Sequence, residues 1–115
     1  MKFEDMDVWK RSSRLSVGVY RYFSDLKDYG YKDQVTRSSL SIPSNIAEGI
    51  ERVSAKDTRK FLAYAKGSCA ELRTQIYIGM EIGYIPRMMG AEWIQETKEI
   101  SSMLSSLMKY LDAYT

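Results

Sequence analysis

Two stretches, Ser24-Asp-Leu-Lys27 and Ser106-Leu-Met-Lys109, place a hydroxyl three residues before an amine. On a helix that spacing stacks both groups on one face, where a lysine can deprotonate a serine for acyl transfer. Each stretch falls late in an expected helix without the companion motifs of penicillin-binding enzymes, and two matches in so short a chain mark the pattern as chance. Paired carboxylates fare no better. Glu48 and Glu51 lie three apart, and Glu92, Glu96 and Glu99 sit near one another on an expected fourth helix, most simply as a solvated face. Cys69 falls on an apolar seam beside Ala65 and Leu72, which suits a small core residue better than a nucleophile. Gly79-x-x-x-Gly83 is a close-packing spacing, and no glycine-rich loop is present to cradle phosphates. Histidine is absent altogether. That absence removes histidine-based catalytic triads and dyads, Cys/His zinc sites and the Glu-x-x-His pairs of di-metal bundles. No catalytic residue, metal ligand or cofactor is expected, and the chain does not read as an enzyme.

The remaining chemistry is positive charge. Lys and Arg number 17 against 15 Asp and Glu, a formal +2. The balance is uneven: residues 1–60 hold 12 bases against 9 acids, residues 61–115 hold 5 against 6. Arg52, Lys56, Arg59 and Lys60 cluster around the start of an expected third helix, with Lys66 and Arg73 further along. Lys10, Arg11 and Arg14 share one turn of the first. If these regions meet, or recur around a symmetric ring, they form a basic collar suited to phosphates. An ordinary solvated face accounts for them equally well. Cations at a helix start oppose the macrodipole, which other contacts or function must offset.

Helices must position these residues, because the hydrophobic period is helical throughout with no sustained alternation. The first is expected from about Asp5 to Leu26, with Asp5 or Asp7 as N-cap and a break at Lys27-Asp-Tyr-Gly30. Its seam, Val8, Ser12, Leu15, Val19, Tyr22 and Leu26, advances by fours and threes, beside a second stripe of Trp9, Ser16, Tyr20 and Phe23. Between about Lys32 and Glu51, Val35, Leu40, Ile42, Ile46 and Ile50 hint at one buried face. Pro43 lies inside that window, so the segment is either two short helices restarted by Ser41 or one kinked helix ending near Gly49. Ser54 followed by Asp57 resembles a capping box for a third helix. Its seam is Thr58, Leu62, Ala65, Cys69, Leu72, Ile76 and Gly79, stopped by Gly83 and Pro86. A fourth, about Ala91 to Ala113, carries Trp93, Thr97, Ile100, Leu104, Leu107 and Leu111. The expected fold is all-α: a single-domain antiparallel up-down-up-down four-helix bundle over 1–115, about 30 Å long.

At 115 residues and 13.3 kDa the chain is large enough for a core, with roughly 6,500 Å² of folded surface expected. Ile76-Tyr77-Ile78-Gly79-Met80 is apolar around the whole helix, and nine tyrosines are present. Either the core is generous or part of this surface is covered by another copy of the chain. A lone cysteine, no signal-peptide pattern at the start and no span of ~18 apolar residues fit a cytoplasmic protein with no membrane partner.

One block is more specific. Ser41-Ile-Pro-Ser-Asn-Ile-Ala-Glu-Gly49, followed by Arg52, Phe61-Leu62, Ala65-Lys-Gly-Ser68, Glu71-Leu72, Gln75 and Gly83-Tyr84, with Val8-Trp9 near the start, resembles a known four-helix-bundle family. Its members are encoded by intervening sequences within 23S ribosomal RNA genes, and the accessory proteins of diversity-generating retroelements are similar. The resemblance spans about residues 8–85. It implies a second helix kinked near Pro43 but continuous, a homopentameric ring of bundles and, in the retroelement branch, nucleic-acid binding through basic surface. One departure stands out: the family commonly has paired arginines before the Ser-Ile-Pro block, whereas here Thr36 precedes a lone Arg37. The expected function is a non-enzymatic homo-oligomer, pentameric by that resemblance, which binds RNA or DNA phosphates. The alternative is a scaffold that docks a protein partner. Arg37, Arg52, Lys56, Arg59 and Lys60 are the first candidates for phosphate contact, and Lys10, Arg11 and Lys66 the second. Within the shared block (Ser41, Ile42, Pro43, Ser44, Asn45, Ile46, Ala47, Glu48, Gly49) the roles are structural, with Asn45, Glu48 and Gly49 expected to shape the turn between helices 2 and 3.

Overall fold

The computed structural model describes residues 1–113. A short 3₁₀ turn, Phe3–Asp5, precedes four helices: α1 (Asp7–Tyr22), α2 (Tyr29–Ile50), α3 (Ala55–Glu81) and α4 (Arg87–Asp112). No strand occurs among the described residues. Each helix contacts its chain neighbours, and α4 closes back on α1. α1 and α3 make no direct contact and lie diagonally across the four-helix bundle. The long axis measures 45 Å, longer than expected, because α3 and α4 run for 27 and 26 residues at ~1.5 Å each. The exposed surface, 6946 Å², is close to the size expectation.

Helix ends follow their caps. α1 begins after Met6, which offers no side-chain cap, and Asp7 sits inside the first turn, where its carboxylate complements the dipole. The α1–α2 break comes earlier than the glycine suggests. Asp28 caps α2, its carboxylate accepting from the Tyr31 N–H at 3.1 Å, and Gly30 is already helical. Ser54 caps α3 by accepting from the Asp57 N–H, also at 3.1 Å. Gly83, at φ +85, is the only left-handed residue among those described and ends α3; Pro86 is the N-cap of α4, which therefore starts at Arg87 rather than Ala91.

α2 is a single element with Pro43 buried inside it. Pro43 has no N–H to give the Ser39 carbonyl. Burial against α1 and α3 holds the segment helical past that missing bond, since packing of an apolar face outweighs local propensity. Val35, Ile42 and Ile46 are fully buried on α2, whereas Leu40 faces outward at 49% exposure. On α3 every seam residue from Thr58 to Gly79 is buried. α1 contributes Val8, Ser12, Leu15 and Val19 from its first stripe and Ser16 from its second, with Phe23 buried just past its end. α4 contributes Thr97, Ile100 and Leu104, with Trp93, Leu107 and Leu111 packed at the margin.

Candidate nucleic-acid interface

The chain runs up α1, down α2, up α3 and down α4, so the starts of α1 and α3 and the ends of α2 and α4 share one end of the bundle. Thr58 Oγ1 donates to the Gly49 carbonyl at 2.8 Å across the α2–α3 turn, tying its two sides. Gly49 is needed there: a Cβ would sit 2.9 Å from Phe61 Cβ and 3.1 Å from the Thr58 carbonyl. Asn45 acts elsewhere, donating one helical turn back to the Ser41 carbonyl and hydroxyl. Ser41 and Ser68 hydroxyls meet at 2.8 Å and join α2 to α3.

Four of the candidate cations gather at this corner. Arg52 lies just past the end of α2, paired with Glu48 at 2.9 Å, with its guanidinium carbon 4.6 Å from the Phe61 ring centre. The Lys60 ammonium stands 5.4 Å from the same ring. Lys56, Arg59 and Lys60, with Asp57, Ala63 and the exposed ring of Tyr64, line an open depression of about 510 Å³. Arg59 is tied to Asp112 on α4 at 2.5 Å, whereas Lys56 and Lys60 project into solvent. Tyr64 meets Phe61 edge-on at 5.5 Å, a partner that charge counting alone overlooks. Its signal in the sequence was the i, i+3 and i, i+4 spacing to Phe61 and Lys60.

The other candidates lie apart. Arg37 is exposed on α2, roughly 22 Å along the axis from Arg52 at 1.5 Å per residue. Lys66 is exposed on α3, and Lys10 is exposed on α1, across the bundle from α3. Arg11 is committed elsewhere. Its guanidinium donates to both carboxylate oxygens of Glu96 at 3.0 and 2.5 Å, and to Glu99 at 2.6 Å. Glu96 first and Glu99 second hold its pKa above the ordinary arginine value, and Arg11 in turn holds the Glu99 carboxyl below its own. The carboxylates read as a solvated face are half of this clasp. Neither could be assigned to Arg11 without knowing that α1 and α4 are neighbours, since 85 residues separate Arg11 from Glu96.

The opposite end holds a different polar cluster. The Tyr84 hydroxyl donates to Asp28 at 2.7 Å, which lowers the Asp28 pKa and raises that of Tyr84. Tyr31 donates to the Gln75 carbonyl at 2.6 Å, and burial pushes its pKa up to about 12. These bonds satisfy backbone and cap groups and gather no acid–base pair around a cavity. Burial also pushes the Cys69 thiol up to about 12, so it stays protonated and inert near neutral pH. No group of three or more metal-ligating side chains occurs among the described residues, and no described helix is long and apolar enough to cross a membrane.

The outer face of α3 leads away from this corner. Lys56, Lys60, Ala63, Gly67, Ala70, Thr74, Tyr77 and Glu81 advance by fours and threes along the side opposite its buried seam. All are exposed except Ala63, which is half-buried, and Ile78 stands beside them at 49% exposure.

A solved structure of a protein of unknown function from the S23 ribosomal protein family, from Bacteroides thetaiotaomicron VPI-5482, superimposes with a TM-score of 0.83. It covers 89% of this chain and 98% of its own length at 24% identity, a likeness of fold. Among curated proteins none matches the chain. The model of the family described as 23S rRNA-intervening sequence protein matches residues 4–106, which takes in α1, α2, α3, most of α4 and the Ser-Ile-Pro block that closes the α2–α3 corner. The match covers nearly all of the bundle, and the chain belongs to the 23S rRNA-intervening sequence protein family.

Proposed function

We propose that this protein is a non-enzymatic, self-associating bundle whose basic α2–α3 corner binds the phosphates of RNA or DNA. The observation that carries the reading is the convergence of Arg52, Lys56 and Lys60 around Phe61 and Tyr64. Cations beside an exposed ring suit a single strand, whose backbone is held by charge and whose bases stack without sequence readout. A ring of five, the assembly implied by the resemblance, would repeat the corner five times, so a monomer of only +2 could still present a strongly basic rim. The cytoplasm, where RNA and DNA are accessible, fits such a role.

Fluorescence anisotropy with a labelled single-stranded RNA across a salt series tests the reading. Affinity should fall steeply with salt, and Arg52→Glu combined with Arg59→Glu should abolish binding while helical circular dichroism is retained. Absent or salt-insensitive binding overturns it and favours a scaffold that docks a protein partner. The exposed apolar residues Tyr64, Tyr77, Ile78 and Ile82 on and just beyond α3 are the features that would serve such a partner.

A further inference from the structure

We propose that the outer side of the α3–α4 seam is a phosphate-binding track, which continues the α2–α3 corner and carries the backbone of a single nucleic-acid strand along the bundle. The track rests on the binding proposed for the corner, but it engages a different set of side chains.

Two contacts fix the seam. Arg59 meets Asp112, and Arg73 Nε donates to the Thr97 hydroxyl at 2.9 Å, so both arginines turn towards α4. Lys66 lies seven residues from each and shares their side of α3. The same antiparallel register sets Lys66 level with Ser105, and Arg73 level with Lys98. Cys69 lies between Lys66 and Arg73, and both charges act on its thiol. Lys98 and Lys109 stand exposed along α4, with Ser101 and Ser105 half-buried between them.

Charge is sorted across these two helices, not mixed. Glu96 and Glu99 turn to Arg11 on α1, and Glu92, seven residues before Glu99, shares that side. Glu71 turns to Ser38 on α2. A solvated helix face that is merely charged carries acids three or four residues from its bases. Lys66, Arg73 and Lys98 have none at either spacing, and no ion pair reaches them among the described residues. Like charges gathered without an acid repel one another and focus a field that draws a polyanion. The Ser101 and Ser105 hydroxyls find no partner among the described residues and are available to donate to phosphate oxygens.

Continuity names the occupant. Arg59 borders both the depression at the corner and the start of the track. From Lys56 to Arg73 the helix rises roughly 25 Å at 1.5 Å per residue. At ~3.4 Å per nucleotide in a stacked strand, that length takes about seven nucleotides. A row of spaced cations suits the repeating charge of such a backbone.

Fluorescence anisotropy over a salt series, with a labelled single strand of about ten nucleotides as RNA and as DNA, tests the track. Lys66→Ala with Lys98→Ala should weaken binding about tenfold at low salt and lower the salt slope by about 1.4, two contacts at ~0.7 each. Ser105→Glu sets a carboxylate opposite Lys66 and removes no cation. It should weaken binding while helical circular dichroism and melting temperature hold. Arg14→Ala with Arg21→Ala takes as much charge from exposed positions on α1 and should leave the slope unchanged. If the Lys66 and Lys98 variant binds as wild type while Arg52→Glu with Arg59→Glu abolishes binding, the track is overturned and the corner stands. An equal loss from the α1 pair reduces the effect to net charge and overturns the track. A loss with RNA alone overturns contact through phosphate. A wild type that binds neither strand overturns track and corner together.

Discussion

Between α2 and α3 the two backbones come together. Gly49 leaves no room for a Cβ under Phe61 and the Thr58 carbonyl, and Ser41 and Ser68 touch hydroxyl to hydroxyl. Between α1 and α4 the contact is looser, with the fewest approaches of any neighbouring helix pair in the bundle. It is bridged at side-chain length, by Arg11 reaching Glu96, Glu99 and the Met103 sulfur. The α2–α3 seam is set mainly by close backbone packing, whereas the α1–α4 seam adds this ion cluster to its core contacts and to the Tyr22–Trp93 ring contact. Shape complementarity in a dry interior is indifferent to pH and salt, whereas an ion pair at a partly exposed rim is sensitive to both. The basic corner is built on the shape-dependent seam, which keeps Arg52, Lys60 and Phe61 in fixed relation while solvent conditions change.

The strongest way to break this contrast is to remove substance from α3's buried side. Leu72 is fully buried, and Leu72→Ala should cost about 2–5 kcal/mol in urea unfolding, nearly independent of salt. Gly49→Ala comes next. Its neighbours are a Cβ and a backbone carbonyl, neither of which can swing aside, so about 1–3 kcal/mol of overpacking should appear as a lowered urea midpoint. Arg11→Met should cost about 1 kcal/mol, and raising the salt should shrink the difference from wild type, as it would not for either α2–α3 variant. Gly18→Ala on α1 provides the opposite sign. A Cβ there meets nothing within 4 Å, so the gain in helix propensity should stabilise by up to ~1 kcal/mol.

The smallest effect is on the acid limb of stability. Arg11, and then Gln95, hold the Glu99 pKa below its unfolded value. A depressed folded pKa means that the group's contribution is fully present above the unfolded value, near 4.3, and is lost as pH falls through the folded one. Arg11→Met should therefore flatten the loss of stability below about pH 4.3. Urea midpoints measured down the acid range would show it, and an acid slope equal to that of wild type would mean the clasp contributes nothing.

Much of the bundle was legible because its signals are local. Ser54 followed by Asp57 announces the start of α3, Gly83 and Pro86 announce its end, and the seam from Thr58 to Gly79 is buried residue for residue. Where two local rules competed, the reading was less sharp. Apolarity alone groups Leu40 with the core, yet it faces outward, while Ser38 and Ser39 are buried beside Val35, Ile42 and Ile46 on the face that packs. The Lys27-Asp-Tyr-Gly30 segment does hold the break between α1 and α2, but Asp28 starts α2 within it, so Gly30 is already helical. The continuity of α2 through Pro43 followed from the family resemblance, since proline's local effect points the other way.

The candidate site divides similarly. That Arg52, Lys56, Arg59 and Lys60 lie together is a consequence of helix spacing across a short turn, and the sequence alone determined it. The absence of histidine likewise settled which catalytic and metal chemistries were closed, since composition does not depend on fold. Which of the eight candidate cations remain free was decided only by tertiary structure. Arg11 and Lys10 are adjacent and equally basic in sequence, yet one is clasped by two glutamates from the far end of the chain and the other faces water. A helical period tells which residues share a face, but the partner that face meets depends on how four helices pack. An ion pair needs its partner within a few ångströms, so charge becomes assignable only once the chain is folded.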